Sequence, residues 1–214
     1  MTLKTVELVT APNPTVAVIW MHGLGSDGND FVPIVKELNL EGCPAIRFVF
    51  PHAPMLEVTI NGGRMMPAWF DISSSEFGRD DDEASVRSSE VDIRALIERE
   101  KERGIATDKI LIGGFSQGCA MTFQTGLRYP EKLGGLLCLS GYLTLEDSFE
   151  VERSEANKNI PIYTATVVAI KSFLLLAQSK RWPCCRNLIT TLNGMSTICR
   201  IRFAWKRLSI SATS

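Results

Sequence analysis

The chain has 214 residues, of which 45% are hydrophobic and 22% charged, with a formal net charge of −1. A chain of that size can bury a sizeable core, and that balance excludes both an apolar-poor disordered polymer and a uniformly basic nucleic-acid binder. The near-neutral total averages two unlike regions: residues 1–163 carry 24 acidic and 15 basic side chains, whereas residues 164–214 carry eight Lys or Arg and no Asp, Glu or His.

In chain order, Thr15 to Trp20 (TVAVIW) is β-branched and apolar, the pattern of a strand buried on both faces. A Gly-rich loop, His22 to Gly28, follows; Asn29 is expected to cap a helix reaching about Leu38, and Ile46 to Phe50 forms the next strand, stopped by Pro51. Ser85 to Arg103 sets Val86, Ile93, Leu96 and Ile97 at helical spacing among charged residues, and Gly104 ends that amphipathic helix. Lys109 to Gly113 is a short buried strand, Gln117 to Arg128 a helix and Gly135 to Leu139 a further strand. Strands alternating with helices predict an α/β fold, three-layer, with a mainly parallel central sheet.

Six cysteines stand at irregular spacing without C-x-x-C pairs, so they read as reduced thiols of a cytoplasmic protein. The apolar run Thr15 to Met21 is far shorter than the roughly 20 residues that span a bilayer, so no stable membrane insertion is expected. The two histidines, His22 and His52, make no recognisable metal-ligand set.

Chemistry concentrates in two loops. Gly114-Phe115-Ser116-Gln117-Gly118 matches G-x-S-x-G between a strand and a helix, the context in which a strained turn lifts a serine hydroxyl above a sheet. Glycines flank the serine because side chains there would meet neighbouring backbone, and the helix N-terminus adds N–H groups where an oxyanion would form. The second loop, His22-Gly23-Leu24-Gly25, follows the strand 15–20, where the other half of an oxyanion hole is expected. The main-chain N–H groups of Leu24 and Gln117 are the candidate donors; His22 is expected to brace its loop rather than act as a base.

Together with Phe50-Pro51-His52-Ala53-Pro54, Pro67-Ala68-Trp69-Phe70-Asp71 and Leu139-Ser140-Gly141-Tyr142, these motifs resemble the bacterial carboxylesterase and acyl-protein thioesterase family of α/β-hydrolases over about residues 5 to 163. The resemblance implies a small lidless hydrolase fold, a metal-free Ser–His–Asp mechanism without cofactor, and short- to medium-chain ester, lysophospholipid or acyl-thioester substrates rather than nucleic acid. Residue by residue it implies Ser116 as nucleophile, Leu24 and Gln117 as oxyanion donors, and Trp69 and Phe70 at the start of the acyl-site wall.

The chain departs from that pattern after about Tyr163. The family's Asp and His should follow the strand that begins near Pro161, yet neither type occurs in 164–214. Joining the third base of each codon to the first two of the next lets Tyr163 with Thr164 encode His, Thr164 with Ala165 Gly, and Ala169 with Ile170 Asp, with Gln-Val-Val-Pro next. Leu192 through Thr197 then permits Glu-Trp-His-Glu-Tyr and Cys199 through Phe203 permits Pro-His-Ser-Val, the family's histidine segment. Residues 1–163 therefore read as an incomplete hydrolase domain and 164–214 as an aberrant, frameshifted basic tail, with the last part of the fold expected to be lost or disordered. A non-catalytic acyl-binding or interaction module on the same scaffold is the alternative.

Overall fold

The computed structural model describes residues 3–73, 81–168 and 200–202. A seven-stranded sheet holds, in spatial order, β1 (Thr5–Val9), β3 (Ile46–Pro51), β2 (Val16–Met21), β6 (Ile110–Phe115), β7 (Gly135–Leu139), β8 (Ile162–Val168) and β9 (Arg200–Arg202). The five strands from β3 to β8 run parallel to their neighbours, while β1 and β9 are antiparallel at the two edges. A two-stranded hairpin, β4 (Met55–Val58) and β5 (Arg64–Pro67), stands apart.

The central strands are continuous apolar runs because both of their faces are covered. Along β2, Ala17, Ile19 and Met21 join one buried cluster and Val16 and Val18 the other; β6 divides Ile110 and Ile112 from Leu111 in the same way. The first cluster packs under α2 (Glu83–Glu102), through Ile93, Leu96 and Ile97, and under α3 (Gln117–Arg128), through Met121. The second includes Val35 of the short helix α1 (Ile34–Glu37). Asp82 caps α2 by accepting the Ser85 amide at 2.9 Å.

One element differs from its sequence pattern. The helix expected from Asn29 is a series of tight turns, and only Ile34–Glu37 is α-helical. The Asp27 carboxylate takes the Asn29 amide at 2.7 Å, and the bonds Val32 N to Asn29 O and Ile34 N to Phe31 O close three-residue spacings. An Asx turn followed by Pro33, which cannot donate, replaces the first helical turns.

At the other end, α4 (Glu146–Glu152) is tied to α3 by Arg128, whose side chain is 2% exposed, gives Nε to Glu152 at 2.7 Å and lies over the Phe149 ring. The break expected after Tyr163 falls inside β8, which stays in parallel register with β7 as far as Leu139 opposite Ala165 and continues to Val168. Apart from Arg200–Arg202, the rest of the tail, with the codon pairs proposed for the family's Asp and Glu-Trp-His-Glu-Tyr segments, lies outside the described residues. Cys43, Cys119 and Cys138 are not joined in disulfides. No helix among the described residues is long and apolar enough to cross a membrane.

Candidate active site

Ser116 sits between the end of β6 and the first residue of α3, with φ 54° and ψ −117°. That left-handed backbone costs a non-glycine residue about 1–3 kcal/mol and persists only where the surroundings over-determine it. They do so from three sides. The Ser116 amide donates to Leu139 O at the end of β7 (2.9 Å), and its carbonyl accepts from the Cys119 and Ala120 amides as α3 begins (3.0 and 3.1 Å). A Cβ on Gly114 would lie 2.4 Å from the Gly118 backbone, and one on Gly118 would lie 2.3 Å from Met21 O. Both glycines are thus required by close approach of backbone.

The second loop lies against the first. A Cβ on Gly23 would come within 3.5 Å of Ser116 Cβ and 3.2 Å of the Phe115 ring, so the chain leaving β2 passes directly beside the serine. Gly25, at φ +75°, donates its amide to Pro67 O at 2.8 Å and anchors the loop to the β4–β5 hairpin.

His22 supports this loop from below. Its Nε2 accepts the Ala53 amide at 3.1 Å, which places the proton on Nδ1, 2.8 Å from Gly23 O. Burial holds this imidazole below its ordinary pKa, so it is a neutral brace with both nitrogens engaged. His52 accepts the Gly28 amide on Nδ1 at 3.3 Å. Among the described residues no three His, Cys, Asp or Glu side chains gather as a metal site would need.

Trp69 and Phe70, expected along an acyl-site wall, are both fully buried. The Trp69 indole donates to His22 O at 2.8 Å and its ring lies 5.3 Å from the imidazole. Their backbone belongs to no strand, yet side chains satisfy it: Trp69 N donates to Gln117 Oε1 (2.8 Å), Gln117 Nε2 to Phe70 O (2.7 Å) and Ser89 Oγ to Trp69 O. Asp71 N donates to Ser85 Oγ (3.1 Å). Sequence reasoning missed this use of Gln117, Ser85 and Ser89. Serines four apart on the first turns of a helix were the available signal, but only the fold brings residues 69–71 against them.

A strained serine between a central parallel strand and a helix, with a glycine loop beside it, is the local geometry that the G-x-S-x-G motif requires. A family model described as phospholipase/carboxylesterase matches residues 5–166. The chain belongs to the phospholipase/carboxylesterase family. It is 38% identical over 164 residues to acyl-protein thioesterase 1 of Schizosaccharomyces pombe, covering 76% of this chain and 72% of that one. It is 39% identical over 159 residues to the Neurospora crassa protein of the same name, covering 71% of this chain and 65% of the relative. Among solved structures, Arabidopsis thaliana SOBER1 superposes with a TM-score of 0.64 at 33% identity, covering 71% of this chain and 73% of that one. The phospholipase/carboxylesterase resemblance met in the motifs thus extends from β1 into β8, and the family is one of serine hydrolases of the esterase and acyl-protein thioesterase type.

Proposed function

We propose that the site is built to cleave carboxylic esters or acyl thioesters through an acyl-Ser116 intermediate, on small or acylated substrates in the cytoplasm. The strained backbone of Ser116, with Gly23 pressed beside it, is the observation that carries this reading. Ser116 Oγ forms a bond to the acyl carbon, the carbonyl π pair moves onto oxygen between the Leu24 and Gln117 amides, and collapse expels the alcohol or thiol. Water then releases the acid and regenerates the serine. Trp69 and Phe70 enter as the packed backing of the acyl site.

Serine needs a base to lose its proton, and neither histidine of the chain supplies one: His22 is held by Gly23 and Ala53 and His52 by Gly28. We infer that the tail is a frameshifted form of the family's C-terminus. Ala165 with Thr166 permits His, and Thr166 with Val167 permits Gly, as well as the pairs two residues earlier do. The later placement spaces the motif H-G-x-x-D and begins where β8 leaves its parallel ladder with β7 at Ala165. The same engagement of both histidines favours, as the rival reading, an acyl-binding module that does not turn over. A serine-directed fluorophosphonate separates reactive from inert serine: we expect slow adduct formation at Ser116, abolished by Ser116→Ala. Labelling elsewhere with Ser116 untouched would overturn the assignment.

A further inference from the structure

We infer that the side chain of Gln117, and not its main-chain amide alone, is a positioning group of the acylation site, holding the oxyanion loop in place through Trp69. The inference rests on the reading of Ser116 as nucleophile. An oxyanion hole assembled from Leu24 and Gln117 draws its two donors from different elements, the loop after β2 and the first residue of α3. One oxygen can bind both only if the distance between loop and helix is fixed.

The β2–β6 ladder ends with Met21 opposite Gly114, and Gly118 packs against the Met21 and His22 carbonyls. Farther along the loop, toward Leu24, a bracket of side chains adds to these backbone contacts. The carboxamide of Gln117, 3% exposed, accepts from Trp69 N at 2.8 Å and donates to Phe70 O at 2.7 Å. Reversing the amide would face donor with donor and acceptor with acceptor, so its orientation is set by its partners. From there the rigid indole of Trp69 reaches across to His22 O, the peptide immediately before Gly23 and Leu24, at 2.8 Å. The segment cannot drift with the helix, because Ser89 holds Trp69 O and Ser85 holds Asp71 N from α2. Ser116 and its neighbour Gln117 are thereby referred to the loop through two hydrogen bonds and one aromatic plane.

This role demands a neutral group with one donor and one acceptor at the end of a two-carbon arm. A carboxylate there faces Phe70 O with an acceptor; protonated, it presents an O–H and recovers the native pattern. Burial raises the pKa of such a carboxyl, which brings its titration toward an accessible range. Gln117→Glu is therefore a variant whose defect should depend on pH, whereas a group that merely fills space would show no such dependence. Trp69→Phe severs the link to His22 O from the other end without touching α3.

The test is equilibrium binding of an alkylboronic acid to the full chain, read by 11B NMR. Ser116 Oγ adds to boron, forming the Oγ–B bond and releasing one proton to solvent; nothing else leaves, and the product is a tetrahedral anion with an oxygen between the two amides. We expect Gln117→Met and Trp69→Phe each to weaken the boronate by about tenfold or more, since misplacing one donor forfeits much of what an oxyanion hole contributes. Gln117→Glu should be as weak at pH 8 and approach the wild-type affinity measured at the same pH as the solution is acidified. Wild-type affinity in Trp69→Phe and Gln117→Met, or a Gln117→Glu deficit unchanged with pH, would overturn the inference. Absence of any tetrahedral adduct in the wild-type chain would instead remove the reading of Ser116, and this inference with it.

Discussion

Around Ser116, residues 16–25 and 110–128 are over-determined: a strained φ, glycines with no room for a methyl group, and a buried histidine and indole that each engage backbone. Past Ala165 the chain keeps a strand but carries no Asp, Glu or His with which to activate that serine. On the function proposed above, the oxyanion side of the site is held by the strands around β2 and β6, whereas proton transfer would depend on residues contributed after them. Geometry and activation would then be separable because different strands hold them.

Disturbing the built region should have the largest structural effect. Gly118→Ala places a methyl 2.3 Å from Met21 O and 2.6 Å from His22 O, so α3 must move from β2. We expect a loss of about 1–3 kcal/mol in chemical denaturation together with loss of fluorophosphonate labelling at Ser116. A variant with wild-type stability and labelling would show that the elbow is looser than its backbone contacts indicate.

At the border between the two regions, Glu152 accepts from Arg87, Arg128 and Ser148 and keeps α4 on α3. Glu152→Ala leaves the Arg128 side chain, 2% exposed, without its carboxylate and should cost about 2 kcal/mol, read from the same unfolding curve. Labelling of Ser116 should be retained, since this contact lies outside the elbow.

The pH dependence should be smaller and has two parts. Hydrogen bonding to Arg87 holds the Glu152 carboxyl down to about 2. Its contribution is complete above the ordinary carboxylate range and is lost as pH falls from about 4.5 toward 2. His22, whose pKa burial lowers, takes up a proton on unfolding at a higher pH than when folded. Stability should therefore also decline as pH falls through about 6.5, the unfolded imidazole value, and His22→Asn should flatten that slope. A slope unchanged in His22→Asn would mean that the imidazole is not the neutral brace described.

Legibility followed the same division. The helix Gln117–Arg128 and strand Gly135–Leu139 match their patterns to the residue, because a buried parallel strand and an amphipathic helix each carry a periodicity that the core enforces. The edge strand β1 and the β4–β5 hairpin were not read: β1 alternates only weakly, and the hairpin turns through Gly62 and Gly63 at positive φ with exposed methionines on its strands. Ser116 was legible as a local motif. The bracket of Gln117, Trp69 and Ser89 was not, since its members are separated by 20 to 48 residues and meet only in the folded sheet.

The most direct test compares kcat/KM for a short-chain p-nitrophenyl ester between the 214-residue chain and one whose frame is restored after Ala165, with both shown to be folded. We expect the restored chain to be faster by about 10³-fold or more. The oxyanion hole and binding alone sustain a residual rate in serine hydrolases that have lost their base. Equal rates would contradict the separation of geometry from activation and would return His22 or His52 to consideration as the group that takes the proton from Ser116.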